Sequence, residues 1–362
     1  MGEQYKELIG KLNPKYLKLN EPLSLHTTVG IGGPADIWYE AQSTEEFIEA
    51  INLARKLEIP VTILGRGSNV LISDSGIRGL VLKNGSKNIV IGSEVSVKET
   101  EELEKEVTKI EARWASDSEK GTFKYEFKDL DYDELDSPRI EVKIDSGVDM
   151  AFAINFLINK GITGLQWYAR IPGNLGGWIY NNVHGGTHFI NELIKSVDVL
   201  TENGAVITLK ASDLNFGYDV SRFHNSNEII LSATLNLYKG DKEKAKYVAI
   251  EWAKRKSIQP HRSLGSVFKN ISIEDQKRLG YPTNGIGYIV EHVIKLSGYR
   301  VGDAGISKAH HNFIENLGNA SAKDYLQVIK TIQQKVQVEI GLKLHPEIFL
   351  IGFKPSEIED IL

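Results

Sequence analysis

The sequence predicts a protein of mixed helices and strands with two globular domains. Three observations support this prediction: a capped helix leads into a strand near residue 60, alternating strands are joined by Asn203-Gly204, and a long capped helix begins at Ser321. A chain of 362 residues with 41% hydrophobic content is long enough to give each domain its own core.

The first helix-strand unit follows Ser43, which has capping-box spacing to Glu46. Apolar residues then recur at helical steps until Pro60 ends the helix. The short apolar run 61–64 predicts a buried strand, and "GLVLKN" at 79–84 predicts the next one.

We interpret residues 86–138 as an insertion, because the composition changes there. Fifteen acidic and seven basic residues lie between Glu94 and Asp136, a net −8 in a chain of net −5, so the remainder carries +3. A charged helical pattern covers 99–113, and a solvated acidic appendage is the favoured interpretation. The modestly basic remainder suits an anionic small molecule and is too weak a signal for nucleic-acid binding.

Strand and helix signals alternate again after the insertion. "RIEVKIDSGVD" predicts a strand, and the helix after it is capped by Asp149 and ends near Gly161. The hairpin already noted and the strand "EIILSATLNLYKG" complete this half. The last helix runs from the capping box at Ser321 to Gly341.

Composition also restricts the compartment and the chemistry. The absence of cysteine excludes a disulfide framework, a thiol nucleophile and thiolate metal sites. The N-terminus has scattered charge without a signal-peptide core, and nowhere do eighteen apolar residues run together. We therefore expect a soluble, cytoplasmic protein that associates with no membrane.

Three glycine-rich stretches are candidate ligand loops. In "LGRGSN" two glycines follow a strand, where the backbone either turns its N–H groups toward an anion or forms an ordinary turn. In "IPGNLGG" a proline fixes one turn while three glycines permit close approach of an extended ligand. In "TTVGIGGPAD" a bulge or turn is the favoured interpretation. Because the first two loops lie about a hundred residues apart, they indicate one elongated cofactor.

With these motifs in view, the chain resembles the UDP-N-acetylenolpyruvoylglucosamine reductase family. Several motifs in one order are more specific than any one alone. The matching stretches, in family order, are "TTVGIGGPAD", "LGRGSNVLISDSGIRGLVL", "GLQWYARIPGNLGG", "LNFGYDVSRF", "LGSVFKN", "VGDAGISKAHHNFIENLGNASAKD" and "LHPEIFLIG". They cover roughly residues 20–353 apart from the insertion.

The resemblance implies an α+β fold, with a two-part FAD-binding domain of the vanillyl-alcohol-oxidase (PCMH) type and a smaller C-terminal substrate domain. The implied organisation is a helical lead at 1–22, the FAD-binding domain at 23–240, the substrate domain at 241–354 and a tail at 355–362.

The resemblance also implies the reaction and the cofactor residues. NADPH would reduce FAD, and the reduced flavin would pass hydride to the enolpyruvyl group of a UDP-sugar, giving UDP-N-acetylmuramate for peptidoglycan. Residues 65–69 would hold the FAD pyrophosphate. The residues assigned to the cofactor are Gly65, Arg66, Gly67, Ser68, Asn69, Ile171, Pro172, Gly173, Gly176, Gly177 and Asn182.

Two residues match the catalytic positions of the family. Ser266 corresponds to the serine that protonates the substrate, and Glu347 to the active-site glutamate. Taken alone, Ser266 would be a turn or cap hydroxyl, and Glu347 could be an exposed strand-edge residue. The residues assigned to the sugar-nucleotide substrate are Tyr218, Arg255, Lys269 and Asn270, with Arg255 as a diphosphate clamp. For His310 and His311 a structural or hydrogen-bonding role is favoured over a metal site, because no third ligand has suitable spacing.

Two places depart from the family pattern. Asp219 stands where the family has an arginine that stabilises negative charge on the substrate. Residues 183–186 replace the family's small-residue run near the flavin, so that His184 or His188 is a candidate for a local role there.

The missing arginine requires a substitute cation. We predict Arg222 as that catalytic residue, with Lys269 and Arg170 as alternatives. The departures keep two other functions open: a flavin oxidoreductase with another substrate, and a non-catalytic flavin- or sugar-nucleotide-binding paralogue. For assembly we expect a monomer or a weak homo-oligomer.

Overall fold

The computed structural model describes residues 2–92, 95–98, 100–119 and 130–361. The predicted insertion therefore has positions 93, 94, 99 and 120–129 outside the described residues, and the predicted tail has position 362 outside them.

Helices and strands are mixed along the chain, as predicted. The described helices are α1 (Glu3–Lys11), α2 (Thr44–Lys56), α3 (Glu101–Glu119), α4 (Met150–Asn159), α5 (Leu175–Tyr180), α6 (Lys242–Lys256), α7 (Ile273–Leu279), α8 (Ile286–Tyr288), α9 (Ala322–Ile340) and α10 (Pro355–Ile358). The described strands are β1 (Leu17–Pro22), β2 (Pro34–Ala41), β3 (Val61–Ile63), β4 (Val70–Ile72), β5 (Ile77–Asn84), β6 (Asn88–Ile91), β7 (Val95–Lys98), β8 (Arg139–Asp145), β9 (His184–Gly185), β10 (His188–Phe189), β11 (Ile194–Leu200), β12 (Val206–Lys210), β13 (Ile229–Tyr238), β14 (Arg300–Val301), β15 (Ala304–Ile306), β16 (Ile314–Asn316) and β17 (Phe349–Ile351).

The chain divides into two compact units. The first unit comprises residues 1–39, 54–82 and 258–362, and the second comprises 40–53 and 83–257. The domain boundaries given above stay a prediction, and the compact units divide the chain at other points. Both ends of the chain belong to the first unit.

The first unit joins segments that are distant in sequence. It carries the sheet β1-β2-β5-β3, the antiparallel sheet β14-β15-β16 and the parallel pair β17-β4. Val29, Ile31 and Leu71 are buried in one core with apolar residues of α9 and of the segments around it. The N-terminal segments of this unit therefore depend on the C-terminal part of the chain for their core.

The second unit is built on one large sheet. Its strands follow the order β12-β11-β13-β8-β6-β7, and α4 supplies a nearly continuous apolar surface to the core beside it. Antiparallel pairing of β11 with β12 follows the Asn203-Gly204 turn, where Gly204 has φ +84°. This pairing confirms the predicted hairpin. Glycine suits the turn because it adopts this backbone conformation without a Cβ clash.

The predicted helix ends are confirmed by their capping hydrogen bonds. Ser43 Oγ accepts from Glu46 N at 3.2 Å before α2, and Asp149 Oδ1 accepts from Ala151 N at 2.9 Å before α4. Ser321 closes a capping box at the start of α9, and Gly341 ends that helix with φ +72°. These contacts are local in sequence, so the sequence pattern is sufficient to identify them.

Two expectations about burial are wrong. β3 is at the edge of its sheet, and Ile63 is 39% exposed, so this strand is not a buried one. In the insertion, Val107 and Trp114 of α3 pack into the core of the second unit, and Leu130 is also buried. The described part of the insertion is therefore integrated into the fold and is not simply a solvated appendage.

Candidate active site

In the first unit, hydrogen bonds bring the predicted catalytic segments together. The Glu347 N–H donates to the Val267 carbonyl at 2.8 Å, directly beside Ser266. The Glu347 carbonyl accepts from Asn69 Nδ2 at 3.3 Å, and the Phe349 N–H donates to the Asn69 carbonyl at 2.9 Å. The backbone of Glu347 is thus bound on one side to the Ser266 segment and on the other to the loop 65–69.

The other predicted residues of this segment lie next to Ser266. The Lys269 N–H donates to the His345 carbonyl at 3.0 Å, while Asn270 Oδ1 accepts from Ile286 N at 3.3 Å at the start of α8. Ser266 and Lys269 are half-buried. A hydroxyl and an ammonium group therefore lie within a few residues of each other on a segment fixed by backbone hydrogen bonds.

In the loop 65–69, packing within the protein explains why one residue, Gly67, is a glycine. Gly67 has φ +63°, and a Cβ there would lie 2.2 Å from the His26 carbonyl oxygen. The Gly67 carbonyl accepts from Thr28 N at 3.1 Å. Gly67 is required by this close backbone approach, whereas Gly65 and Arg66 are exposed. The sequence permits either an anion-binding loop or an ordinary turn in this stretch. The turn alone is enough to explain why residue 67 is a glycine.

The stretch "TTVGIGGPAD" also has a structural explanation. A Cβ on Gly33 would lie 2.1 Å from the Asp74 carbonyl oxygen, and Gly30 has φ +68°. These glycines allow the loop before β2 to pack against neighbouring backbone, which supports the turn interpretation.

In the second unit, the loop 171–177 is docked on residues 146–150. Asn174 Nδ2 donates to the Gly147 carbonyl at 2.6 Å, and the Gly176 N–H donates to the Ser146 carbonyl at 2.9 Å. Gly173 has φ +151°, and a Cβ there would lie 2.7 Å from Trp178. Packing within the protein therefore accounts for Gly173, and it fixes the path of the loop.

Two further features of this loop fit a bound cofactor. A Cβ on Gly177, in α5, would meet no atom within 4 Å, so packing does not require a glycine there. Asn174 Oδ1 and Trp178 Nε1 are buried without a hydrogen-bond partner among the described residues. An open glycine beside unsatisfied polar atoms is what close approach of an extended polar ligand such as FAD requires.

Asn182, which the resemblance assigns to the cofactor, has both ends of its amide engaged by the protein backbone. Its Nδ2 donates to the Gly217 carbonyl at 2.9 Å, and its Oδ1 accepts from Asn191 N at 3.2 Å. The residue is 2% exposed. Because both ends of its amide bind the backbone, Asn182 positions the turn at Gly217, which argues against direct contact with the cofactor.

That turn presents Tyr218 and Asp219. Gly217 and Val220 exchange backbone hydrogen bonds across it, and Asp219 has φ +52°. Aspartate tolerates this left-handed conformation better than most residues. The local backbone conformation therefore offers a structural explanation for an aspartate at position 219. Tyr218 is 49% exposed at the tip.

The two departures from the family pattern meet at this turn. His184 Nε2 lies 4.0 Å from Asp219 Oδ1, within ion-pair distance. The His184 ring centroid is 5.3 Å from the rings of both Tyr218 and Phe189. Substitutions 35 residues apart in sequence, at 184 and 219, are thus neighbours in space.

Arg222 does not fit the role of substitute cation. Its Nε and Nη2 each donate to the Glu228 carboxylate at 2.8 Å, and its Nη1 donates to the Asp213 carbonyl at 3.0 Å. All three guanidinium nitrogens donate to acceptors within the protein, so the direction of the group is fixed there. The structure therefore gives Arg222 a structural role in the turn that follows β12.

Three other cationic side chains, of Arg255, Arg170 and Lys256, differ in their exposure and contacts. Arg255 is exposed on α6, with its guanidinium carbon 5.2 Å from the centre of the Trp252 ring. Arg170 is exposed with φ +64°. Lys256, which the sequence analysis did not single out, donates to the Ala169 carbonyl at 3.3 Å, and burial lowers the pKa of its ammonium group to about 8. A lysine in the last turn of a charged helix gave no sign of this burial.

Of the two histidines, His311 has the hydrogen-bonding role expected of it. His311 Nε2 lies 2.8 Å from Ser297 Oγ, and its Nδ1 lies 3.2 Å from Glu291 Oε2. Burial lowers the pKa of His310, whose ring packs on Phe313.

No described helix combines the length and the apolar character needed to cross a membrane.

Comparisons with known proteins match both the motifs and the fold. A family model described as UDP-N-acetylenolpyruvoylglucosamine reductase, C-terminal domain, matches residues 258–351, and one described as FAD binding domain matches residues 125–210. The UDP-N-acetylenolpyruvoylglucosamine reductase of Lachnoclostridium phytofermentans is 32% identical over 357 residues, which is 96% of this chain and 97% of that protein. The Bacillus subtilis protein of the same name is 30% identical over 92% of this chain and 93% of its own length.

A solved structure of a reductase with the same function also matches this chain. The crystal structure of UDP-N-acetylenolpyruvylglucosamine reductase from Thermus caldophilus superimposes with a TM-score of 0.65 at 25% identity. The match covers 92% of this chain and 99% of that one.

Proposed function

The chain belongs to the UDP-N-acetylenolpyruvoylglucosamine reductase family, and from this premise we propose which of its residues carry out the reaction. The protein is a flavoenzyme that uses NADPH to reduce UDP-N-acetylglucosamine enolpyruvate to UDP-N-acetylmuramate, a step in the synthesis of peptidoglycan precursors. Its fold is α+β, with an FAD-binding domain of the vanillyl-alcohol-oxidase type. When bound, FAD would supply the hydride-transfer chemistry that links NADPH to the enolpyruvyl group.

Ser266 and Glu347 are our proposed catalytic residues. What supports this assignment is the backbone of Glu347, which is hydrogen-bonded to Val267 beside Ser266 and to Asn69 of the glycine loop. Ser266 would donate a proton to the carbon next to the one that receives hydride, with Glu347 as a second group at the reacting centre. These hydrogen bonds fix the main chain from which both side chains extend, and general acid catalysis depends on such positioning.

The cofactor residues are proposed separately for each unit. In the first unit we assign the FAD pyrophosphate to Gly65, Arg66, Ser68 and Asn69, with Gly67 maintaining the turn. In the second unit we assign FAD contacts to Ile171, Pro172, Gly173, Gly176 and Gly177. The open face of Gly177 and the unsatisfied atoms of Asn174 and Trp178 support this second assignment.

Four residues are proposed to bind the sugar-nucleotide. Tyr218 has a largely exposed ring at the tip of its turn, and Arg255 has an exposed guanidinium suited to a diphosphate. Lys269 and Asn270 follow Ser266 on the same segment. Their ammonium and amide groups are donors of the kind that bind phosphate and sugar oxygens.

We propose that His184 replaces Arg222 in our assignment of the substitute cation. Arg222 is paired with Glu228, whereas His184 lies beside Asp219, which occupies the position of the missing arginine. A protonated imidazole supplies both positive charge and an N–H donor to developing negative charge. Asp219 would then be a positioning residue, because its carboxylate lies 4.0 Å from Nε2 of the His184 ring.

The experiment that tests the function is an NADPH oxidation assay with the FAD-loaded protein. We expect NADPH consumption that depends on UDP-N-acetylglucosamine enolpyruvate and yields UDP-N-acetylmuramate in equal amount. Flavin reduction by NADPH without turnover of this substrate would favour an oxidoreductase of another specificity. Substrate binding without any reduction would favour a non-catalytic relative.

For location and assembly we propose a cytoplasmic monomer or weak homo-oligomer. Sedimentation velocity at micromolar concentration measures the assembly directly, and a stable dimer would contradict the proposal.

A further inference from the structure

A serine, a histidine and a glutamate contact one another in the first unit, and none of them is assigned to the reductase reaction. The Ser297 hydroxyl oxygen lies 2.8 Å from His311 Nε2, and the other ring nitrogen, Nδ1, lies 3.2 Å from Glu291 Oε2. A carboxylate beside Nδ1 favours the proton on that nitrogen, so that Nε2 accepts the hydrogen bond from Ser297. The three residues therefore have the order of nucleophile, base and orienting carboxylate that acyl-transfer enzymes use.

The base and the carboxylate come from different parts of the fold. Glu291 lies in a single turn of π-helix, Ile289–Val293, a rare form that frequently occurs at functional sites. His311 lies in the loop between β15 and β16, where the Phe313 N–H donates to the His310 carbonyl at 2.9 Å and closes a tight turn. Tertiary packing thus brings a helical turn and a hairpin loop to the same serine.

The turn that carries Ser297 has unpaired backbone donors. The Tyr299 N–H donates to the Leu296 carbonyl at 3.0 Å, and Gly298 has φ +72°, which is typical of the third residue of a type II turn. Within the part of the chain that the structure describes, neither the Ser297 N–H nor the Gly298 N–H donates to a protein acceptor. Backbone N–H groups at the nucleophile and at the residue after it are donors that acyl-transfer sites use to stabilise an oxyanion.

Lys308 adds positive charge beside the same turn. Its Nζ lies 3.8 Å from the point that a Cβ on Gly298 would occupy. Lys308 is exposed, and among the described residues its ammonium group has no hydrogen-bond or ion-pair partner. Negative charge that develops at the turn would therefore be stabilised by an ammonium group that no carboxylate neutralises.

The exposure of the three residues suits a reaction at the surface. Ser297 is exposed, whereas the His311 side chain is only 11% exposed. A small molecule can therefore reach the hydroxyl while the base behind it is largely screened from bulk water. Glu291 is more open, and its Oε2 also lies 3.4 Å from His292 Nε2.

We propose that Ser297, His311 and Glu291 hydrolyse small esters of carboxylic acids, an activity separate from the reductase reaction. Ser297 Oγ bonds to the acyl carbon while its proton passes to His311 Nε2, and the turn N–H groups and Lys308 stabilise the oxyanion. The bond to the leaving oxygen then breaks as His311 gives the proton to that oxygen, which releases an alcohol. Water attacks the acyl-serine in the same way, so that the carboxylic acid leaves and the serine hydroxyl is restored. Glu291 is a positioning residue that orients the imidazole.

The test uses the full-length, FAD-loaded protein, with p-nitrophenyl acetate as substrate and a fluorophosphonate as the covalent probe of activated serines. We expect ester hydrolysis that the fluorophosphonate abolishes, with a single adduct on the peptide that carries Ser297, identified by mass spectrometry. The absence of an adduct, an adduct on another serine such as Ser266, or hydrolysis that persists after complete labelling would overturn the proposal.

Variants then separate the three roles. Ser297→Ala should abolish labelling and lower kcat/KM for the ester by roughly 10²-fold or more, while the protein keeps its flavin and is therefore folded. His311→Gln should have the same effect, because the base is lost. Glu291→Gln should lower kcat by roughly tenfold or more with little change in KM, because it disturbs the imidazole and leaves ester binding intact.

The matched controls are Ser272→Ala and His292→Gln. Ser272 caps α7 in the same unit, and His292 contacts the same Glu291 oxygen but has no serine partner among the described residues. Both variants should be labelled and should hydrolyse the ester as the parent does. Unchanged hydrolysis in Ser297→Ala or in His311→Gln would assign the reaction to other surface nucleophiles and overturn the proposal.

Discussion

Single residues decide the chemistry of this protein, and Ser266 is the first of them. A backbone hydrogen bond from Glu347 to Val267 fixes the main chain directly beside Ser266 in the first unit. A serine of ordinary acidity is a weak proton donor, so its efficiency as a general acid depends on such positioning.

We predict that Ser266→Ala leaves reduction of the bound flavin by NADPH unchanged and slows its reoxidation by substrate by roughly 10²–10⁴-fold. Stopped-flow absorbance measures the two half-reactions separately. Ser272→Ala, which removes the N-cap hydroxyl of α7 in the same unit, is the control. Equal slowing of both half-reactions by Ser266→Ala would remove it as the proton donor.

A second residue-scale prediction separates His184 from Arg222. His184→Gln should slow reoxidation by substrate by about 10²-fold, because one charged donor to the substrate is lost. Arg222→Ala should leave both half-reactions near normal and lower the free energy of unfolding by about 1–3 kcal/mol, because Glu228 loses its charged partner. The opposite pattern, with slow reoxidation in Arg222→Ala alone, would restore Arg222 as the catalytic cation.

A third prediction concerns the buried ammonium group of Lys256. Its folded pKa of about 8 lies below the unfolded value near 10.5, so the unfolded chain binds more protons between these two pH values. Stability therefore increases as the pH rises through this window, and below pH 8 the charged group costs about 3 kcal/mol.

Lys256→Met should accordingly stabilise the protein at pH 7 and give a much smaller gain at pH 10. Chemical denaturation at both pH values measures the difference. Lys254→Met, on the same helix and largely exposed, provides the control and should show no such dependence. A gain that is equal at the two pH values would contradict the assignment of the effect to charge burial.

At the scale of elements, α5 distinguishes a packing requirement from a ligand requirement. Gly173 packs against Trp178, and Gly176 faces Ser146, but Gly177 faces open space. In a helix, replacing such a glycine by alanine normally stabilises the protein by roughly 1 kcal/mol. If stability were the only concern, alanine would be the better residue at this position.

We therefore predict that Gly177→Ala lowers the FAD content of the purified protein while the cofactor-free protein melts at the same or a higher temperature. The flavin absorbance ratio and a thermal melt of the stripped protein measure these two effects. Gly161→Ala is the comparison, since its Cβ also meets nothing, but its φ of +76° makes alanine strained. Full FAD content in Gly177→Ala would show that no ligand approaches this face.

At the scale of the whole molecule, the first unit is discontinuous in sequence. Residues 1–39 and 54–82 share their core with 258–362, and β4 pairs with β17 near the end of the chain. The second unit has its own core, formed by residues between Ile89 and Ile250.

A chain that ends at residue 257 should therefore lose the first unit and keep the second. Val29, Ile31 and Leu71 would lose their packing partners, at a cost of roughly 1.5–3 kcal/mol for each side chain that becomes exposed. Limited proteolysis should cleave within 1–39 and 54–82 of the truncated chain and spare these segments in the full-length protein. Equal protection in both would contradict the shared core.

The sequence by itself determined the features that depend on neighbouring residues. The caps of α2, α4 and α9 and the turn at Gly204 are set by contacts within a few positions, so their patterns are legible in the chain. The order of the motifs was likewise enough to identify the family and its cofactor.

Only the tertiary structure decided which residues meet. It placed β3 at a sheet edge, brought Glu347 to the Ser266 segment, paired Arg222 with Glu228 and set His184 beside Asp219. Burial of Lys256, and of Trp114 within the insertion, also has no local signature. The physical reason is the same in each case: exposure, charge pairing and pKa depend on groups distant in sequence, whose approach is set by the packing of the whole chain.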